Sequence, residues 1–114
     1  MCPVIVSDLL RARRETGRSD VAIVVITMDP WRDTPERLAG LAEHWELAPG
    51  DRVLGGAVSE VEATLDRLGV GRTRDARTGD IVHGGTVLVL DREGRLAWRV
   101  DGGDGRVREV LARL

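Results

Sequence analysis

The sequence predicts an α/β fold, a mixed sheet flanked by helices, and three observations carry that expectation. Elements alternate in the order α-β-α-β-α-β-β-α. Two short runs, Val21 to Ile26 and Thr86 to Leu90, are almost wholly aliphatic and too short for helices. A turn at Asp91-Arg92-Glu93-Gly94 then leads into an alternating segment, as in a hairpin that supplies an antiparallel edge. With 114 residues, one domain covering residues 1–114 is expected.

The first helix follows Pro3: Val6, Leu9 and Leu10 recur among polar residues over Val4 to Thr16, and Gly17 is a left-handed stop. Val21 to Ile26 reads as a parallel strand covered on both faces. Thr34-Pro35-Glu36 opens the second helix, with threonine as cap and proline at the first helical position. Leu38, Leu41, Ala42 and Trp45 then lie at i, i+3, i+4 and i+7, one buried face. Pro49-Gly50-Asp51 ends that helix, Val53 to Ala57 reads as a short strand, and Ser59 to Glu62 as a capping box for a helix buried through Val61, Leu65 and Leu68. Gly69 to Val82 has no apolar period and reads as a long functional loop that delivers His83. After the Thr86 to Leu90 strand, Leu96, Trp98 and Val100 alternate with Ala97 and Arg99 to give one buried face. The Gly102-Gly103-Asp104-Gly105 cluster is a turn, lacking the lysine and spacing of a phosphate cradle. Val107, Val110, Leu111 and Leu114 form the stripe of a last helix.

This order is most of a thioredoxin-like fold, lacking the strand that precedes its first helix. That strand would lie between the two most apolar ones, and each unpaired buried backbone group would cost on the order of 1–3 kcal/mol. The chain is therefore expected to be truncated at its N-terminus, or to complete its sheet with a second copy.

Composition narrows the chemistry. All 17 basic residues are arginine, against 19 acidic ones, for a formal charge of −2, and nucleic-acid binding needs a net basic face. Lys, Asn, Gln, Phe and Tyr are missing, which reads as the mark of a G+C-rich genome and leaves Trp31, Trp45 and Trp98 as the aromatic rings. No apolar run nears the roughly 18 residues of a membrane span, and no leader pattern opens the chain, which is expected to remain where it is made. A single cysteine forms no internal disulfide.

Cys2 stands at the start of the first helix, where free amides and the helix dipole favour a thiolate: a nucleophile, a soft-metal ligand, or a thiol placed there only by where the chain starts. His83, before a core strand, is a metal ligand or a solvated imidazole. Asp29 follows the first strand on the edge where ligands collect in α/β sheets, or simply makes a turn with Pro30. Arg32 and Asp33 are placed to pair locally, and Trp31 is the ring placed to shield a site there. Trp45 and Trp98 read as core, and His44 as surface.

Three segments together resemble the Sco/SenC family of copper chaperones, thioredoxin-like proteins that help assemble the dinuclear copper site of cytochrome c oxidase. Cys2-Pro3-Val4 through Asp8-Leu9 is similar to the second half of that family's CxxxCP motif. Ile26 to Glu36 resembles its strand ending in DPxRDTPE, and Val82-His83 before Thr86 to Asp91 its ligand histidine. The resemblance implies Cys2 and His83 as copper ligands with Asp29 near the site, and no catalytic residues: a metallochaperone rather than an enzyme. The motif's first cysteine would fall four residues before Cys2, so copper binding, as Cu(I) or Cu(II), should be weak in this chain. By the same resemblance the partner is the oxidase subunit carrying the dinuclear copper site, and the full-length protein is membrane-anchored and extracytoplasmic. Two other readings stay open: a thiol-disulfide oxidoreductase or one-cysteine peroxidase built on Cys2, and a non-catalytic interaction module or degenerate paralogue that dimerises through an open sheet edge.

Overall fold

The computed structural model describes residues 3–101 and 104–114, which form four helices and six strands. Cys2 and Gly102-Gly103 lie outside the described residues. The chain divides into two compact units, residues 22–83 and residues 3–21 with 84–114. No helix among the described residues is long and apolar enough to cross a membrane.

In the unit of residues 22–83, β1 (Val24–Ile26) pairs in parallel with β2 (Arg52–Leu54), as Val24↔Arg52 and Ile26↔Leu54. The strand is shorter than its apolar run and is not covered on both faces: Val24 is 53% exposed, while Ile23 and Thr27 point inward. Backbone bonds to β2 continue at both ends, the Arg52 amide donating to the Ile23 carbonyl and the Thr27 amide to the Leu54 carbonyl, each at 3.0 Å, and a side chain adds to them. Asp51 is buried, and its Oδ1 accepts the Ile23 amide at 2.8 Å while Oδ2 accepts that of Ala48 at 2.9 Å, fixing the chain where β1 begins. The predicted strand Val53 to Ala57 stops at Leu54 because Gly55 passes close to the core: a Cβ there would lie 2.6 Å from Leu38 Cδ1 and 3.3 Å from Thr27 Cγ2.

Helix α2 (Pro35–His44) starts as its sequence requires, with the Thr34 hydroxyl accepting the Arg37 amide at 3.3 Å and Pro35 at the first turn. Leu38 is buried, and Leu41, Ala42 and Trp45 are half-buried on the same face. Helix α3 (Val58–Arg67) begins two residues earlier than the capping box implies: Ala57 is its N-cap, so Ser59 lies inside the first turn and makes no cap. Its inner face is the predicted one. Val61 and Leu65 are buried with Val70, and Ile26, Met28 and Leu68 pack against them.

Segment 69–82 is not an irregular loop. It folds into an antiparallel hairpin of β3 (Arg72–Arg74) and β4 (Ile81–His83), with Arg72↔His83, Thr73↔Val82 and Arg74↔Ile81 in register. No apolar alternation announces it, because its strands are held by turn chemistry and by charged side chains rather than by a buried stripe.

In the other unit, α1 (Pro3–Glu15) ends at Gly17 with φ of 66°, and β5 (Thr86–Leu90) pairs antiparallel with β6 (Leu96–Asp101) through a turn closed by Gly94 at φ 79°. Ala12, Val89, Val100, Val107, Val110 and Leu111 form the core between α1, the hairpin and α4 (Asp104–Arg113). The alternating face of β6 is buried only at Val100. Leu96 and Trp98 are 57% and 43% exposed, against the expectation that both are core, and a register shift between Val89 and Leu90 breaks the alternation between Trp98 and Leu96. Leu114, at the end of the predicted stripe, is also exposed.

Arg18 ties this unit's termini together. Its guanidinium grips Asp20 bidentately at 2.8 Å and donates to the carbonyls of Leu111 and Leu114 at the C-terminal end of α4. The Arg18 hydrogen bonds hold the Asp20 carboxyl down at about 2.

The described strands thus pair two by two. β1 has β2 as its one partner and β5 has β6, so each of the two apolar strands keeps an edge without a partner among the described residues, as the sequence leads one to expect.

Candidate functional site

The DPWRDTPE segment folds as a tight turn directly after β1. Amides of Arg32 and Asp33 both donate to the Asp29 carbonyl, at 3.1 and 2.9 Å, and Thr34 then caps α2. Beneath the turn lies a buried polar triad that sequence reasoning did not identify. Thr27, fully buried, donates its hydroxyl to Asp33 Oδ2 and accepts the Asp29 amide at 2.9 Å, while Asp33 Oδ1 faces Arg37 Nε at 3.3 Å. Its one available signal is the threonine ending an aliphatic run six residues before an aspartate. Arg32 and Asp33, expected to pair with each other, take separate partners because the turn sends Asp33 inward and Arg32 outward.

Arg32 reaches across to the hairpin. Its Nη1 lies 3.6 Å from Asp29 Oδ2 and 3.4 Å from Asp80 Oδ1, and Nη2 donates to the Thr78 carbonyl at 2.9 Å. Trp31, 40% exposed, lies under the Arg74 guanidinium, 4.4 Å from ring centre to Cζ. The ring meets the hairpin directly.

On the hairpin, paired residues share a face, so His83 stands beside Arg72 and on the same side as Arg74 and Ile81. Arg72 anchors that face to α3: it bonds Glu62 Oε2 and Asp66 Oδ1, each at 2.9 Å, and the carbonyls of Glu62 and Val70. Burial alone would lower the Arg72 pKa; the hydrogen bonds it donates to Asp66 and Glu62 outweigh that, and the group stays firmly cationic. His83 is half-buried, on the side of the hairpin that is turned toward α3 and the Trp31 turn.

Asp29 is 9% exposed, and its Oδ1 is buried without a hydrogen-bond partner while Oδ2 faces Arg32. A buried carboxylate oxygen left unpaired is unusual. The structure therefore joins Asp29, through Arg32, to a turn three residues ahead of His83. Cys2, the third residue singled out, lies outside the described residues, and no cluster of three or more His, Cys, Asp or Glu able to hold a metal occurs among those described. His44 is exposed at the end of α2, as expected of a surface histidine, and Trp45 is half-buried.

The hairpin turn is built by Asp75, whose Oδ1 accepts the amides of Arg77 at 2.7 Å and Thr78 at 3.0 Å, with Gly79 at φ 78°. These backbone bonds, Thr78 first, lower the Asp75 pKa. A carboxyl lowered on folding stabilises above its unfolded value, about pH 4, and that contribution fades as pH falls through the folded value. Asp75→Ala is thus expected to lower the thermal midpoint at neutral pH, and the gap from the parent protein should narrow in an acid titration below about pH 4.

Comparison with known proteins gives one consistent answer. The family model described as SCO1/SenC matches residues 1–114. Among solved structures, a protein from Aquifex aeolicus VF5 is 25% identical with a TM-score of 0.79, the match covering 98% of this chain and 70% of that one. An SCO1/SenC family lipoprotein from Bacillus anthracis str. Ames is 17% identical with a TM-score of 0.77, covering 99% and 72%. Bradyrhizobium japonicum ScoI with copper bound is 24% identical with a TM-score of 0.69, covering 98% and 72%. No curated protein sequence matches the chain. The fold is thioredoxin-like, as these structures share it, and the chain belongs to the SCO1/SenC family.

Proposed function

We propose that this chain is a copper-binding metallochaperone domain, with Cys2 and His83 as ligands and Asp29 beside the metal. Membership of the SCO1/SenC family supports it, as does likeness to a ScoI solved with copper. The observation that carries it is local: Arg32, within the DPWRDTPE turn, bridges Asp29 to the hairpin that ends on His83. Copper is the cargo. An imidazole and a thiolate suit both its oxidation states, sulfur favouring Cu(I) and nitrogen tolerating Cu(II). Cys2 and His83 are the residues of these motifs that would supply the thiolate and the imidazole. By this reading the acceptor is the cytochrome c oxidase subunit with the dinuclear copper site, and the whole protein is anchored to a membrane and extracytoplasmic.

Titration of the reduced protein with Cu(II) is expected to give a thiolate-to-copper charge-transfer absorption that Cys2→Ser removes and His83→Ala removes or shifts. A spectrum indifferent to both substitutions overturns the proposal. Peroxide turnover that needs Cys2 and ignores His83 would replace it with a thiol peroxidase.

A further inference from the structure

We propose that Arg32 is a positioning residue for His83: it clamps the β3–β4 turn to the Asp29 turn and so sets the imidazole in place before any metal arrives. The inference rests on the copper reading above for its purpose, though not for its geometry. β3 and β4 are three residues each, and a two-stranded ribbon that short is marginal alone. Its residues Arg72, Thr73 and Arg74 offer no apolar stripe to bury. Its side-chain anchors therefore join the Asp75 turn in holding it. Arg72 fixes the open end, next to His83, onto α3. The turn end, from which the chain runs through Ile81 and Val82 into His83, is held by Arg32 and by Trp31 under Arg74.

Only a planar fork serves here. Arg32 addresses a carboxylate on its own turn and, on the hairpin, a carboxylate and a carbonyl, Asp80 and Thr78. Space is left for it at Gly79, where a Cβ would come within 2.7 Å of Arg32 Nη2. A lysine would bring a single nitrogen in place of the two that face Asp80 and Thr78. Single exposed ion pairs contribute little. Arg32 instead spends its several donors on one short segment, so its loss should be felt locally, in the hairpin, and little in global stability.

The test uses the whole chain and two readouts. In the metal-free protein, Arg32→Gln is expected to raise amide hydrogen exchange of Thr73, Val82 and His83 about tenfold with the global unfolding midpoint nearly unchanged. With Cu(II), apparent affinity is expected to fall about tenfold, as for other residues that orient a ligand, and to fall no further when Arg32→Gln is added to His83→Ala. Arg32→Lys should behave as Arg32→Gln. Unchanged exchange in Arg32→Gln, or full restoration by lysine, overturns the clamp. Exchange decides the clamp in the absence of metal, whereas failure of the parent protein to bind copper through His83 would sink the copper reading alone.

Discussion

Leu65→Ala is expected to destabilise the unit of residues 22–83 by about 3 kcal/mol, the largest effect of any single truncation there. Leu65 is 2% exposed, on the inner face of α3 between Val61 and Leu68, in a cluster that also takes in Val70, Ile26 and Met28. The removed methyl groups lose their transfer free energy. The cavity left behind adds a second cost, because the surrounding structure relaxes only partly. Urea unfolding monitored by circular dichroism would measure the loss. Leu54→Ala is the control: Leu54 is 45% exposed, and its truncation should cost under about 1 kcal/mol. Equal losses at both positions would mean that the α3 face is not the core of this unit.

The second large effect is expected at Asp33. Asp33→Ala should lower stability by about 2–3 kcal/mol, because the fully buried Thr27 hydroxyl then loses its acceptor and Arg37 its partner. Arg37 is exposed and its pair with Asp33 adds little, so the loss comes chiefly from the buried hydroxyl. Thr27→Val removes the same hydrogen bond from the other side, taking the acceptor from the Asp29 amide and the donor from Asp33 Oδ2 while Oδ1 keeps Arg37. The two changes touch one interaction, so the double variant should cost clearly less than the two singles added together. Full additivity in a double-mutant cycle would show that Thr27 and Asp33 act separately. Since Asp29 hangs from Thr27 through its amide, Asp33→Ala should also weaken copper binding, in step with the loss of the turn.

The elements legible beforehand are those whose stability is written in local spacing. The i, i+3, i+4 face of α2, its threonine cap and proline start, the Gly17 stop and the β5–β6 hairpin need only chain-local rules, and they appear where those rules put them. Ser59 shows the limit of such rules. A capping box fits the sequence there, yet α3 starts at Val58 with Ala57 as its N-cap and no side-chain cap hydrogen bond, while Val61 and Leu65 are buried as their spacing requires.

Of the candidate site, Asp29 and His83 were identifiable by residue type and position, and so was the DPWRDTPE turn. Their connection was not. Whether Arg32 pairs with its neighbour Asp33 or with Asp80, 48 positions away, is decided by which side of the turn each faces. The β3–β4 hairpin escaped for the same reason, its arginines finding Glu62, Asp66 and Trp31 only once the chain has folded.

By itself, then, the sequence determined the four helices and the strands β1, β2, β5 and β6 in their order, the cap of α2 and the turns at Gly17 and Gly94, and the residue types available for a metal. Tertiary structure alone decided which charged groups meet, that Thr27 and Asp33 lie buried beneath the turn, and that Leu96 and Trp98 stay exposed. The division is physical. Hydrogen bonds within a turn or helix span a few residues and leave a local pattern, whereas an ion pair or a buried face joins distant segments whose meeting no local pattern records.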